Sequence, residues 1–472
     1  VTSASAGGFA ERATQALGDT RLRGALDRAT DQLGTRRAAA FHSLDHADLV
    51  RDAARDAKMR ALRTLAAHLE QFESRLIANG AHVHWAETPE DANRLVVEIA
   101  ARTGVKRIVK SKSMVTEETH LNDALERAGL TVVETDLGEY IVQLGNDRPS
   151  HIIAPIIHLT RQDVGQLMHR RLNVPYTDDA KALAGLARIR LREEFLTADM
   201  GLSGANFGVA ETGTICLVTN EGNGRMVTTL PRVHVAVMGI EKLVPTLADL
   251  DLCLKVLARS GTGQKLTAYT TMVTGPRRAG ETDGPEELHV ILLDNGRSRI
   301  RAGDTAEILG CIRCGACLNA CPVYRNIGGH AYGDTYPGPV GAVVTPGIRG
   351  LGPWSELPSA STLCGACREV CPVRLDIPRM LLALRRDAVV RDPAARPWRW
   401  AMRAFAWAAV RPAIYRRGAR FVRGRLRARA ADGWVREAPG PAARWTMSRD
   451  LKAPAVETFQ DRWRARGARG PS

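Results

Sequence analysis

The sequence predicts an α/β protein with a helical N-terminal segment and an α-helical, loop-rich ferredoxin-type iron–sulfur domain. Three observations predict it. Strand and helix patterns alternate over residues 81–298, seven of the nine cysteines fall between Cys311 and Cys371, and residues 1–80 repeat apolar positions at helical spacing. The expected segments are 1–80, helical; 81–298, α/β; 299–390, iron–sulfur; and 391–472, a basic aromatic tail. A chain of 472 residues, 44% hydrophobic and 25% charged, is long enough for about three domains and a sizeable core.

In the first segment, "ALDRATDQLGTRRAAAF" and "LVRDAARDAKMRALRTLAAHLEQFESRLIANG" place apolar residues every three or four positions. The second stretch ends on Gly80, a common helix stop. A single apolar stripe on otherwise polar helices implies packing on the next domain. From residue 81, "AHVHWA" reads as a strand and "TPEDANRLVVEIAARTG" as a helix capped by Thr88, with Glu90 and Asp91 in its first turn. "VKRIVKS" is the next strand, "HLNDALERAG" a helix and "LTVVETD" a strand. Later strands are "GTICLVTN", "VHVAVMG" and "ELHVILLDNG", with "ADLDLCLKVLARSG" a helix between them. Strands alternating with helices of about ten residues or more indicate a largely parallel sheet.

The cysteines carry the chemistry. "CIRCGACLNACP" sets Cys311, Cys314, Cys317 and Cys321 in the order C-x2-C-x2-C-x3-C-P. Two-residue gaps let one loop wrap three thiolates round three corners of a cubane, and in two-cluster ferredoxins the fourth cysteine ligates the other cluster. Zinc sites favour separated C-x2-C pairs instead. The second run, "STLCGACREVCP", has Ser361 where a first cysteine would stand. The spacing therefore assigns Cys311, Cys314, Cys317 and Cys371 to one [4Fe–4S] cluster and Cys321, Cys364 and Cys367 to a second. The fourth corner of the second stays open: Ser361, another oxygen or nitrogen ligand, a [3Fe–4S] cluster, or a labile iron. His330, Tyr332 and Asp334 are candidates for that corner or for groups bonded to its ligands, with ordinary loop residues the plainer reading. They lie in the bridge "RNIGGHAYGDTYPGPVGAVVTPGIRGLGP", whose Gly and Pro content argues against any regular helix or central strand. Cys216 and Cys253 sit alone in apolar surroundings and read as small buried hydrophobes. No G-x-G-x-x-G joins a strand to a helix, so neither a flavin nor an NAD site is expected.

In the α/β segment a polar block supports a small-molecule site. Lys110 and Lys112 follow a strand end, Glu134, Asp136 and Glu139 follow another, and Gly201, Gly204, Asn206 and Gly208 read as a flexible turn before Glu211. Lysines beside a Gly-rich turn suit an anion such as a carboxylate or phosphate. Lys110, Lys112, Asn206 and Glu211 are the candidate set, and turn glycines with solvated charges are the plainer alternative. His151 and His158 are placed either as bases or as structural histidines.

The net charge of +15 lies in the tail: Arg385 to Ser472 hold 22 Lys/Arg against 7 Asp/Glu, and the preceding 384 residues balance at 44 of each. Six of eight tryptophans lie beyond residue 390. Interleaved Arg and Trp fit a partner's acidic face or an anionic membrane surface, and nucleic acid is disfavoured because charge alone supports it. The last thirty residues, rich in Ala, Arg, Pro and Gly, are expected to be poorly ordered. No run of 18 apolar residues occurs. The first residues lack a basic stretch leading into an apolar one, so the expected location is cytoplasmic, with a peripheral contact on the inner membrane face through the tail.

Over about residues 40 to 460 the sequence resembles the lactate-utilisation iron–sulfur protein B family (LutB/LldF). "SKSMVTEE", "ETDLGEYI", "GANFGVAETGT", "CGACLNACPVY" and "LCGACREVCPV" carry the resemblance. It implies a LUD domain of the NagB/RpiA/CoA-transferase-like kind, fused to a two-cluster ferredoxin-type domain. It further implies a redox subunit that acts with companion lactate-utilisation subunits in oxidising L-lactate to pyruvate. The alternative is a stand-alone oxidoreductase binding lactate or glycolate in the α/β domain. Members of the family carry seven cysteines, so Ser361 departs only from simple ferredoxins, and Glu211 resembles the position of a CoA-transferase glutamate.

Overall fold

The computed structural model describes residues 8–391 and 396–467. The chain forms two compact units, Val1–Ala388 and Val389–Ser472. Within the first, four helices open the chain: α1 (Phe9–Gly18), α2 (Thr20–His42), α3 (Ala47–Arg63) and α4 (Leu65–Ala78). The stretch read as one long helix breaks at Thr64, which leaves the helical region at φ −113°, ψ 38°. The break lets the two halves bury different faces. Leu26, Ala54 and Leu62 enter a core shared with the cysteine region, whereas Leu65, Leu69, Phe72 and Leu76 pack against the sheets.

Ten strands follow: β1 (His82–Ala86), β2 (Arg107–Lys110), β3 (Thr131–Glu134), β4 (Met200–Gly204), β5 (Phe207–Val209), β6 (Thr214–Thr219), β7 (Val233–Gly239), β8 (Leu243–Val244), β9 (Tyr269–Val273) and β10 (Glu287–Leu293). Six of them form a wholly parallel sheet in the order β1-β10-β7-β4-β2-β3. Every residue of β7 is buried, as expected of a central parallel strand covered on both faces. Thr88 caps the helix Pro89–Arg102 in a reciprocal box with Asp91.

Three readings of the sequence are corrected here. The glycines at 201–208 are no flexible turn. Gly201 and Gly204 lie in β4, inside the large sheet, because the helix Asn223–Thr229 crosses so closely that a Cβ at Gly201 would stand 1.9 Å from the Val227 carbonyl oxygen. "GTICLVTN" forms β6, but in a second sheet, β8-β5-β6-β9, where it runs antiparallel to both neighbours. The bridge holds a helix, Gly338–Arg349, with Pro339 in its first turn and Pro346 in its last. Burial of most of its residues outweighs the poor propensity; Pro339 sits in the first turn, where its N–H would have no helical partner, and Pro346 forgoes its own bond to the preceding turn.

In the second unit, the helices Arg396–Ala409 and Pro412–Arg427 bury none of their residues. The expectation of poor order over the last thirty residues is corrected as far as 467 by two short helices, Ala443–Thr446 and Phe459–Gly467, and by the pairing of Trp434–Val435 with Leu451–Lys452. Residues 392–395 and 468–472 of the tail lie outside the described residues. Among the described residues no helix is long and apolar enough to cross a membrane.

Candidate iron–sulfur centre

Both cysteine runs fold the same way. A left-handed residue follows the first ligand position by two, Arg313 (φ 59°) and Leu363 (φ 55°). A left-handed glycine comes two later, Gly315 (φ 75°) and Gly365 (φ 86°). Each glycine opens one helical turn, Ala316–Asn319 and Ala366–Glu369. Left-handed residues turn main-chain N–H groups toward sulfur: Arg313 N donates to Cys311 Sγ at 3.4 Å, and Leu375 N, just after the left-handed Arg374 (φ 52°), donates to Cys371 Sγ at 3.4 Å. Such donors are what anionic thiolates and cluster sulfides need.

All nine cysteines are free thiols. Six of the seven in the runs line one core, and Cys364 is exposed. Their mutual influence falls into two groups. Burial, then Cys371 and Cys311, raises the Cys314 thiol, and burial, then Cys311, Cys314 and Cys371, raises Cys317. Burial, then Cys321, pushes Cys367 up to about 12, with Cys364 a lesser influence. Cys321 in turn feels Cys364. Cys317 also feels Cys367, so the two groups adjoin. Acids gathered this closely keep their protons unless a cationic centre stabilises the thiolates.

Cations, most of them buried, converge on the first group. Arg37 of α2 influences Cys314 and Cys371, and Arg51 of α3 influences Cys371 while donating to its carbonyl oxygen at 2.8 Å. Lys58, Lys242 and Arg313 each feel Cys311. Lys58 is wholly buried, its Nζ donating to the carbonyls of Glu241 (2.7 Å) and Leu243 (2.9 Å). Arg37 Nε, Arg51 Nε, and Arg313 Nε and Nη1 are buried without a hydrogen-bond partner, as is Tyr332 Oη, which lies near Cys321 and Cys317. Four buried cations, the half-buried Arg37 and an orphaned hydroxyl suit an anionic cluster, so the residues present fit the group. Sequence reasoning missed these side chains. The one linear signal is that Arg51 and Lys58 share helical spacing with the buried Ala54 and Ala61 of α3.

Cys216 and Cys253 are buried, and burial pushes both thiols up to about 12, so the reading of them as small hydrophobes holds. His151 is a structural histidine. Its Nδ1 accepts from the N–H groups of Ile153 and Ala154, so Nε2 carries the proton and donates to Asn319 Oδ1 at 3.1 Å. Burial, then Lys112, pushes its pKa down to about 3. His158 pairs with Asp147 at 2.9 Å and with Ser150 Oγ at 2.7 Å, and its ring lies edge-on to His330 at 4.6 Å.

Each side chain of the candidate anion set has an internal partner. Lys110 is wholly buried and paired with Glu117 (2.8 Å) and Glu134, and Lys112 stands 3.3 Å from Glu139. Asn206 Oδ1 accepts from Val218 N at 3.0 Å, and Glu211 Oε2 from Leu247 N at 3.1 Å. Both are therefore occupied in structural bonds elsewhere. At the carboxyl ends of β2 and β3 there is a cavity of about 670 Å3, lined by Glu117, Glu134, Glu139, Asp147, His330 and Asp334 among others. Its wall is acidic, which opposes the anionic ligand expected from the lysines.

A parallel-sheet α/β domain joined to a two-run cysteine core defines an iron–sulfur electron-transfer protein. Residues 69–293 match the LUD domain and residues 307–375 the 4Fe-4S dicluster domain. Lactate utilization protein B of Shouchella clausii is 43% identical over 463 residues, 98% of each chain. The protein of that name in Bacillus subtilis is 42% identical over 455 residues, 96% of this chain and 95% of its own. The uncharacterized electron transport protein YkgF of Escherichia coli is 43% identical over 457 residues, 96% of this chain and 95% of its own. The chain belongs to the lactate utilization protein B family.

Proposed function

We propose that the chain is the electron-carrying subunit of a complex that oxidises L-lactate to pyruvate beside companion lactate-utilisation subunits. Cys311, Cys314, Cys317 and Cys371 hold the first [4Fe–4S] cluster, and Cys321, Cys364 and Cys367 the second. The observation that carries the reading is the pair of thiol groups that adjoin at Cys317 and Cys367 and reach the surface at Cys364, a relay with an outer end. When bound, the clusters supply one-electron acceptor states, two of which take the electron pair released by one 2-hydroxy acid. The side chains set the direction. Arg37, Arg51, Lys58, Lys242 and Arg313 favour the more negative state at the inner end, and the Tyr332 hydroxyl is a hydrogen-bond donor between the two groups.

Charge then orders the potentials, with the inner cluster above the outer one. Lys58→Met is expected to lower the inner midpoint and leave the outer one in place. One buried charge at ~8 Å with an effective dielectric of ~20 contributes about 2 kcal/mol, or roughly 90 mV for one electron. Arg37→Gln should act in the same direction, by less, because it is only half-buried. Redox titration followed by electron paramagnetic resonance reads both midpoints, and two unchanged midpoints would refute the ordering by charge.

We read the α/β part as NagB/RpiA/CoA-transferase-like, a reading supported by its parallel sheet with helices packed on it. The tail, with Trp398, Trp400 and Trp407 exposed among arginines, suits the acidic face of a companion subunit or a peripheral contact on the inner membrane face of a cytoplasmic protein. The second reading, a stand-alone 2-hydroxy-acid oxidoreductase, is favoured by the cavity at the strand ends but opposed by its carboxylates. Purified cluster-loaded chain mixed with L-lactate separates the two. Bleaching of the visible iron–sulfur absorbance only when the companion subunits are added supports the carrier, and bleaching by lactate alone refutes it.

A further inference from the structure

We propose that Ser361 Oγ is the fourth protein ligand of the second cluster, completing the set begun by Cys321, Cys364 and Cys367. The inference rests on the two-cluster reading above and adds to it the chemical identity of the remaining corner.

The two cysteine runs align in sequence at an offset of 50. Cys314, Cys317 and Cys321 answer to Cys364, Cys367 and Cys371, and Cys311 answers to Ser361. The correspondence extends to the backbone, because the left-handed pairs Arg313/Gly315 and Leu363/Gly365 and the helical turns after them match. It extends to the ligand atom as well. Arg313 N donates to Cys311 Sγ at 3.4 Å, and Leu363 N donates to Ser361 Oγ at 3.1 Å. The same N–H thus meets sulfur in one run and oxygen in the other.

Leu363 holds a positive φ of 55°, a strained conformation for a residue that is not glycine. That conformation is what turns its N–H back to Ser361. The segment is fixed from outside by Arg385 of the helix Ile377–Arg391, whose Nη2 donates to Ser361 O and whose Nε donates to Pro358 O, both at 2.8 Å. The rival side chains of the bridge are engaged elsewhere or lack an equivalent position in the repeat. His330 Nε2 bonds the Arg148 carbonyl at 2.7 Å, and Asp334 stands 3.6 Å from Arg349. Tyr332 lies near Cys317 as well as Cys321, between the two groups rather than at the outer corner.

Binding is a ligand exchange without electron transfer. An iron–oxygen bond forms, the hydroxyl proton leaves to solvent, and any water held on that iron is displaced. Solvent reaches the corner because Cys364 is exposed and Ser361 half-exposed. An alkoxide is harder and more basic than a thiolate, so it stabilises the ferric state and makes that iron distinct from its neighbours.

Mössbauer and electron paramagnetic resonance spectra of the anaerobically purified, 57Fe-loaded full chain test this, comparing the unsubstituted protein with Ser361→Cys, Ser361→Ala and Tyr332→Phe. The unsubstituted protein should show two four-iron clusters with one iron in a separate doublet. In Ser361→Cys that doublet should merge with the cysteinyl ones while the outer midpoint rises. Ser361→Ala should lose the same iron on mild oxidation and give a three-iron signal, and Tyr332→Phe should keep the doublet. A distinct iron that persists unchanged in both Ser361 variants, or that vanishes in Tyr332→Phe, overturns the assignment. If Ser361→Ala cannot hold the second cluster at all, Ser361→Cys alone decides. One cluster rather than two in the unsubstituted protein would refute the two-cluster reading itself, a different outcome from an unchanged doublet.

Discussion

Cys371→Ala is expected to cost the chain half of its iron, and the half lost should be the cluster of higher potential. Cys321→Ala should remove the other half and leave the higher-potential wave intact. The prediction is sharp because Cys371 lies 60 residues from Cys311 in sequence, whereas Cys321 lies in the same short run as Cys311. If each run served its own cluster, the two variants would have the opposite effects. Three relations support the exchange. Cys314 and Cys317 both feel Cys371, Cys321 feels Cys364, and Cys367 feels Cys321 before Cys364. Because the cations gather round Cys311, Cys314 and Cys371, the two losses are distinguishable by midpoint as well as by iron count. Iron analysis and a redox titration of each variant read the result. Loss of the same wave in both would sink the pairing.

Arg297→Met is expected to destabilise the first unit by about 3–5 kcal/mol, since it strands two buried carboxylates. Arg297 follows β10 and grips Glu118 with both terminal nitrogens at 2.9 Å, while its Nε donates to Glu241. Tyr336, from the bridge between the cysteine runs, donates to Glu118 at 2.7 Å, and Asn295 adds another donor at 2.6 Å. The network therefore ties the end of the parallel sheet to the cysteine region. Burial alone would push both acids up, but their partners together outweigh it: Arg297 with Tyr336 and Asn295 holds Glu118 below the usual range, and Arg297 with Lys242 and Arg313 holds Glu241 at about 2. A depressed carboxylate stabilises the folded state above its unfolded pKa of about 4.3. That contribution is fully present at neutral pH and is lost as pH falls toward 2. Arg297→Met should thus lower the urea midpoint most at neutral pH and least in acid. A midpoint deficit that does not shrink on acidification would refute the electrostatic origin.

Much of the architecture was legible in the sequence because it follows from local period. The strands β1, β2, β3, β7 and β10 and the helices at Pro89–Arg102 and Leu247–Gly261 carry clean two- or 3.6-residue patterns. The strand β4 was not legible, because its glycines depress strand propensity and answer to a helix that crosses it. The bridge helix was hidden for the same kind of reason, since burial rather than propensity holds it. At the candidate centre, the ligand types and the missing corner could be read from spacing alone. The ion pairs of Lys110 and Lys112 were not legible, because nothing in the sequence places Glu117, Glu134 and Glu139 against them.

The sequence by itself determined the candidate donors, seven cysteines in two matching runs with Ser361 at the position left open, because C-x2-C spacing is a local property of one loop. Only the tertiary structure decided what surrounds it. Arg37, Arg51 and Lys58 come from helices more than 250 residues upstream of Cys311, and charges act through space rather than along the chain. Ligand identity is written in neighbours in sequence, and potential in neighbours in the fold.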